Sequence, residues 1–530
     1  MLLKSCGLFL GLIVAGSGDA IAKPEQLHTL DKGHRILIQR GLQLNAYVVG
    51  LTTGGRENDA DIWQNWESSH FTTLDLNTQP LTSTDTIAGK KPWVIWRGNS
   101  ENPTQSLPDQ FFQSRQVKNL VGWQYKDEQD IGLEKELQEL ETWIRHYRPR
   151  LPNTLLYTNQ HGDERFGGYG STSDLSIRRY MRRIQPDLLM KDTYPYGIWN
   201  DLGNQGGRPA QLYYSMMRYR KFALAGHDGT GRKPIPYGLW IQTFKGAAAG
   251  IGNWPRFPSE SELRQQQFTA LTLGFKFISA FTYNSTTDLG GRFSAPFFQQ
   301  PFGKQPTPAF QHIAEINRQS LNLGPTLVRL LSTDVRIVPR PPALADLIAP
   351  EIPHWDIKAD PYMTRLDVKN LGTLYRGRNG DVLVGYFKPL RESFDGPAIN
   401  QQYFMLTNGL AGKRHSIEQT RQQLTVEFDF GDSGITGLQR LNRKTGKVES
   451  IQAGWREDVA PGLTSQFDAV SDRKYRLTLI LDGGTGDLFK FDTGAPFVGQ
   501  STTQQLVQVH STVETIKRIT TQDPPNDRQI

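Results

Sequence analysis

The chain has 530 residues, 37% of them apolar, with 26 Phe, 18 Tyr and 11 Trp, enough to bury one large domain and a smaller one. Its net charge of +7 is scattered rather than gathered into a stripe, which argues against a nucleic-acid partner. Its single cysteine, Cys6, excludes a disulfide framework.

In chain order, residues 1–22 come first, with Lys4, the apolar run CGLFLGLIVAG and a small-residue site at Ala20-Ile21-Ala22, the pattern of a cleaved export signal. The run is too short to span a bilayer, and no later stretch is apolar for long enough to be a transmembrane segment. Cleavage removes Lys4 and Asp19, leaving the charge unchanged, and removes Cys6, so cysteine nucleophiles and Cys-ligated zinc drop out. A secreted or periplasmic protein is the expectation.

From about residue 40 to 330, β-like and helix-like runs alternate. The strand candidates are 42–49, 71–77, 92–99, 120–125, 154–164, 187–197, 236–246 and 275–284, eight in all. Between them, Leu133, Leu137, Leu140, Ile144 and Tyr147 form an apolar stripe at helical spacing. IRRYMRR at 177–183 reads as a helix whose arginines face solvent. Ser259-x-x-Glu262 is a capping-box pattern, and Thr307-Pro308 places a cap and an N1 proline ahead of another helix. This order and size match an α/β fold, a (β/α)8 TIM barrel spanning residues 23–332. A doubly wound sheet is the rival, but the turn after strand one, GLTTGGRENDADIW, is no GxGxxG. Beyond a proline-bearing connector at 337–353, short strands separated by Gly, Asn and Asp turns predict a C-terminal antiparallel β-sandwich at 333–497, with a hairpin turning through Thr445-Gly446. The glycine-rich LDGGTGDLFKF at 481–491 reads as a tight turn rather than a phosphate loop, and 498–530 as a polar tail.

In a β/α barrel the C-terminal strand ends face the site. Those ends carry Asp75, Arg97, Asp127, Glu128, Asn159, Asp192, Tyr194, Tyr196, Trp240, Gln242 and Tyr283, a mixture of acids, rings and amides that suits a carbohydrate substrate. Glycosidic cleavage needs one carboxylic acid to protonate the leaving oxygen and a second carboxylate opposite. Glu128 fits the first role, since Asp127 beside it raises its proton affinity by like-charge repulsion. The competing reading is that both acids merely favour the N-terminus of the following helix. The aromatic residues divide between packing and sugar platforms. His161, Asp163 and Glu164 lack a second histidine at metal-ligand spacing, so no metal and no cofactor is expected. No Gly-x-Ser-x-Gly elbow occurs.

With the GW…DE segment ending in Glu128, PDLLMKDTYPYG at 186–197 and GLWIQTF at 238–244, the chain resembles the clan A glycoside hydrolase superfamily, bacterial members with a terminal β-sandwich included. The resemblance covers about residues 40–490 as short motifs and implies that Glu128 is the acid/base. One departure stands out: that superfamily places a glutamate nucleophile at the end of strand seven, where this chain has Gln242. An amide cannot replace it, so the partner acid is expected from Asp192, with Asp75 and Glu164 behind it. Three readings stand: an exported glycoside hydrolase-like enzyme, a barrel that binds glycan without cleaving it, and a surface or assembly protein working through the sandwich.

Overall fold

A computed structural model describes residues 30–48, 65–77, 90–99, 101–105, 107–160, 173–197, 209–246, 256–284, 293–300, 304–339, 352–391 and 402–500. The expected export signal, His161, Asp163, Glu164, most of the turn after strand one and the tail beyond residue 500 lie outside them. Eight strand positions form the barrel: β1 (Gln43–Tyr47), β2 (Thr73–Asn77), β3 (Trp93–Trp96), β4 (Leu120–Gln124), β5 in two pieces (Leu155–Tyr157 and Asn159–Gln160), β6 (Leu189–Asp192), β7 (Tyr237–Gln242) and β8 (Phe277–Phe281). All neighbours pair in parallel. The ring closes where β1 meets β8 and where β5, broken at Thr158, bonds β4 with its first piece and β6 with its second. The strands are almost wholly buried, as parallel strands covered on both faces must be.

Helices close the barrel's outside and its lower end. Helix α1 (Lys32–Arg40) is capped by Asp31, whose carboxylate accepts from the His34 N–H at 3.1 Å. Its Ile36 and Leu37 join Val94, Leu155, Met190 and Phe277 in one apolar cluster, and Lys32 pairs with Asp187 at 2.8 Å just before β6. Helix α2 (Glu134–Tyr147) buries Leu137, Leu140, Trp143, Ile144 and Tyr147, whereas Leu133 sits outside it and is exposed. Helix α3 (Asp174–Ile184) buries Ile177, Tyr180, Met181 and Ile184, and its Arg183 reaches Glu134 and Glu141, so the basic run is a solvated face as expected. Helix α4 (Pro209–Ala225) follows β6.

Helix α5 (Glu260–Thr272) opens with the expected capping box: Ser259 N–H donates to Glu262 at 2.8 Å and Ser259 Oγ accepts from Glu262 N–H at 3.3 Å. Helix α6 (Pro308–Leu327) starts at Pro308 as expected, but the Thr307 hydroxyl donates to the Pro296 carbonyl instead of capping it. Residues 261–272 of α5 are all buried because the helix is held from three sides. Gln266 exchanges hydrogen bonds with the Gln242 backbone (2.8 and 3.1 Å). Gln267 donates to Ser320 of α6 at 2.8 Å, and Gln265 donates to the Gly409 carbonyl at 2.5 Å.

Antiparallel strands begin at Leu330. One sheet runs in the order Leu330–Val338, Val382–Pro389, Tyr403–Asn408, Gly486–Phe491, Leu438–Leu441, Val448–Ile451. The other runs Met363–Asn370, Gln422–Asp429, Lys474–Leu481, Leu463–Ser471, Trp455–Ala460, and a core of Phe404, Val426, Phe428, Leu479 and Phe489 lies between them. The hairpin at Gly446 forms as expected. Gly484, in the glycine-rich turn, has φ +72° and a Cβ there would stand 2.3 Å from the Ser261 carbonyl oxygen, so this turn is shaped by close approach to α5. Gly385 is pressed on the same helix, where a Cβ would lie 2.0 Å from the Thr272 carbonyl oxygen.

Candidate active site

Acid residues gather at the barrel's C-terminal mouth because β4 and β6 end there. After Gln124 the chain turns sharply: Lys126 and Glu128 both adopt left-handed backbone, φ 49° and 48°, on either side of Asp127. Two non-glycine residues in that region cost about 1–3 kcal/mol each, and such conformations concentrate at functional turns. The turn leaves Glu128 exposed and Asp127 half-buried. Asp127 Oδ1 accepts from Asn159 Nδ2 at 2.9 Å and Gln124 Nε2 at 3.2 Å, while its backbone N–H donates to Asn99 Oδ1 at 2.7 Å. Burial pushes the Asp127 carboxyl up to about 6, aided by the Glu128 charge and opposed by the two amides.

Asp192 ends β6 and is buried. Burial drives the Asp192 carboxyl well above the usual carboxylate range, and the charges of Glu128 and Asp127 push the same way, against the Lys191 ammonium. Beneath them Asp75 on β2 is buried and pushed up to about 8, by burial first and by the Asp127 charge, against the Asn45 amide that donates to it at 3.3 Å. The half-buried Tyr194 belongs to the same field: its hydroxyl is raised by burial and by Asp192, Asp127 and Glu128.

Rings line this mouth. Tyr47 stacks on Phe281 at 5.6 Å and meets Trp96 edge-on at 5.9 Å. Trp240 stands edge-on to Phe281 at 6.4 Å, and Tyr194 to Phe244 at 5.0 Å. Trp96, Tyr194 and Phe281 keep part of their surface open. Among the described residues, several buried polar atoms of this region have no hydrogen-bond partner: donors on Trp96 Nε1, Trp240 Nε1 and the Tyr157 hydroxyl, and acceptors on Asp75 Oδ1, Asn45 Oδ1 and Asn159 Oδ1. Buried polar groups are ordinarily satisfied, so a concave set of unsatisfied ones beside open ring faces has the character of a binding site for a polyhydroxylated ligand.

Four expected substrate-binding residues are turned elsewhere. Arg97 follows the inward-facing Trp96 and so points outward, where its guanidinium lies 3.6 Å from the buried Glu101 and donates to Gln105 at 2.5 Å. The Tyr196 hydroxyl donates to Gln265 at 2.8 Å inside the barrel wall. Tyr283 is packed among Trp66, Phe71 and Phe298 with centroids 5.0–6.1 Å away. Gln242 is buried with its amide committed: Oε1 accepts from the Tyr196 N–H at 2.9 Å, and Nε2 donates to the carbonyls of Tyr196 and Arg256, each at 2.7 Å. Donation to two carbonyls needs an NH2 group, which explains an amide where a nucleophilic glutamate is missing. Asp127, Glu128, Asp192, Asp75, Asn159, Tyr194 and Trp240 are brought together as anticipated. Tyr47 and Trp96 stand at strand ends, where the barrel rule looks for site residues, and Phe281 was not singled out, although its period-two alternation with Phe277 and Ser279 marks it as inward-facing.

No protein-family profile matches the chain, and no curated protein is similar to it in sequence. Similar solved structures exist. A family 51 α-L-arabinofuranosidase from Bifidobacterium longum is 10% identical, covering 87% of this chain and 96% of its own, with a TM-score of 0.41. A glycoside hydrolase is 11% identical, covering 86% and 94%, with a TM-score of 0.38. A glycoside hydrolase family 5 protein from Bacteroides vulgatus is 10% identical, covering 87% and 91%, with a TM-score of 0.37. At these levels the likenesses carry none of the functional argument, which rests on the acids, amides and rings of the barrel mouth.

Proposed function

We propose that this chain is an exported glycoside hydrolase-like enzyme that cleaves glycosidic bonds of a poly- or oligosaccharide by carboxylate chemistry at Glu128 and Asp192. The observation that carries this reading is the group of Asp127, Glu128 and Asp192 carboxyls, whose charges act on one another, beside half-open aromatic rings. Asp192, holding its proton by burial and like charge, is the acid that protonates the leaving oxygen as the C–O bond breaks. Glu128 takes a proton from the water that attacks the anomeric carbon. The cycle ends with Glu128 protonated and Asp192 ionised, and proton exchange with solvent restores the starting state. This exchanges the role first expected of Glu128.

A sugar must enter between the two carboxyls, since such pairs stand about 5–5.5 Å apart in retaining enzymes and about 6.5–9.5 Å in inverting ones. Asn159, Tyr194, Trp240 and Asp75 then meet the ring and its hydroxyls. The test is product release from a panel of polysaccharides, compared between the native chain, Asp192→Asn and Glu128→Gln, with folding monitored by circular dichroism. Undiminished product from both variants sinks the assignment. The committed Gln242 favours a second reading, a glycan-binding barrel without turnover, and binding with no product from any glycan would select it.

A further inference from the structure

The turn that presents Asp127 and Glu128 is fastened in part by its own neighbours and in part from another strand. Gln124 Nε2 donates to the Lys126 carbonyl at 3.2 Å, and Gln129 Nε2 to the Asp127 carbonyl at 3.2 Å. Left-handed residues on both sides of Asp127 take it out of the β4 ladder, so its N–H meets a side-chain oxygen instead of a strand carbonyl. That oxygen is Asn99 Oδ1, 2.7 Å away, on the loop that follows β3.

The loop is braced on both sides of Asn99. It leaves β3 through Gly98, whose φ of +82° favours glycine, and the Gly98 carbonyl accepts from the Glu101 N–H at 3.3 Å. Arg97 and Glu101 stand 3.6 Å apart with both side chains buried. Arg97 also donates to the Gln105 side chain at 2.5 Å, and the Gln105 carbonyl accepts from the Tyr147 hydroxyl of α2 at 2.6 Å. A buried ion pair adds little net stability, and its better-attested use is to fix one geometry over others. Here it fixes the stretch that carries the exposed Asn99.

We infer that Asn99 is a positioning residue of the site: its side-chain oxygen holds the Asp127 amide, and with it the aim of Glu128 one residue on, while Arg97 and Glu101 hold the loop. Its effect on turnover rests on the glycan-cleaving reading, whereas the clasp itself is measurable without turnover. Misplacing a reacting group by about 1 Å costs up to about a hundredfold in rate, so loosening this turn should lower kcat rather than weaken binding.

The test uses the full chain, with hydrogen exchange resolved to the Asp127 amide and with kcat and KM on the best-cleaved glycan of the panel. Asn99→Ala, a change at an exposed side chain, should leave the fold intact. It should speed exchange at that amide about fivefold or more, the scale of one hydrogen bond, and lower kcat about tenfold with KM within about twofold. Asn99→Asp keeps an acceptor oxygen at the same reach. It should return exchange to within about twofold of native, and kcat, taken at the plateau of its own pH profile, to within about threefold. Unchanged exchange in Asn99→Ala overturns the inference whatever the rate does. A raised KM with kcat kept also overturns it, since Asn99 then meets the sugar itself, as does a loss of kcat that Asn99→Asp does not recover. Faster exchange with kcat unchanged breaks this inference and leaves the hydrolytic reading standing. No product from the native chain on any glycan breaks the hydrolytic reading, and the exchange pattern of the two variants then upholds or overturns the clasp by itself.

Discussion

The mouth of the barrel and the interior of the sandwich both bury carboxylates, with opposite outcomes for charge. In the sandwich, Arg440 reaches Glu449 and Glu457, each at 2.7 Å, and Asp487 at 3.4 Å, lies 4.9 Å from the Trp455 ring, and shares Asp487 with Arg443. The Asp487 carboxyl is buried, which alone would raise it, yet the two guanidiniums hold it below the usual range. At the mouth Asp75, Asp127 and Asp192 are all raised, and the base that acts on Asp192 is the Lys191 ammonium, which burial and the neighbouring acids outweigh. Paired charge holds a sheet together, and charge left unpaired stays available for proton transfer or for a ligand.

The comparison can be broken at several points. Asp192→Asn and Glu128→Gln should each lower the rate of glycan cleavage by about a thousandfold, within the span of general acid–base catalysis, while the melting curve stays cooperative. Asp487→Ala should destabilise the protein by about 3–5 kcal/mol in urea titrations, because it leaves the buried Arg443 without its carboxylate, while Arg440 keeps Glu449 and Glu457. For Asp75 the sign follows from its raised carboxyl. Its contribution to stability is complete below about pH 4 and is lost as pH rises through about 8. Asp75→Asn should therefore match the native chain in chemical denaturation at pH 4 and exceed it at pH 8 by a few kcal/mol, on the order of one per pH unit lost. Gln242→Glu should cost about 2–3 kcal/mol and yield no new activity, since it deletes two buried donations without placing a carboxylate in the mouth. Arg476→Ala should fall within about 0.2–1 kcal/mol, its 2.8 Å pair with Glu427 lying on the half-exposed outer sheet.

Much of this was legible in the residues. Eight buried runs predicted the barrel, and short strands with Gly and Asn turns predicted the sandwich, because both depend on local hydrophobic pattern. Asp127, Glu128 and Asp192 were readable because a strand's end places its last residues at the mouth. Parity separates Trp96 from Arg97, which the strand-end rule alone takes together. Tyr196 and Tyr283 follow their strands, where alternation no longer applies and only tertiary packing decides direction. That Gln242 is a clasp between β7 and the segment after β6 depends on which carbonyls come near it, which no local pattern encodes. The influence of Glu128 on Asp192, 64 positions apart, belongs to the same class.

Helix α5 has a consequence for how this protein is built and inherited. A helix with no solvent face belongs equally to the two bodies that cover it, and Gly385 and Gly484 on the sandwich side are fitted against its backbone. The sandwich is thus no detachable module hung on a catalytic unit but one wall of it. A gene fragment ending near residue 329 would encode a barrel with an open flank, prone to self-association, so the two halves can be expected to travel together through recombination and truncation.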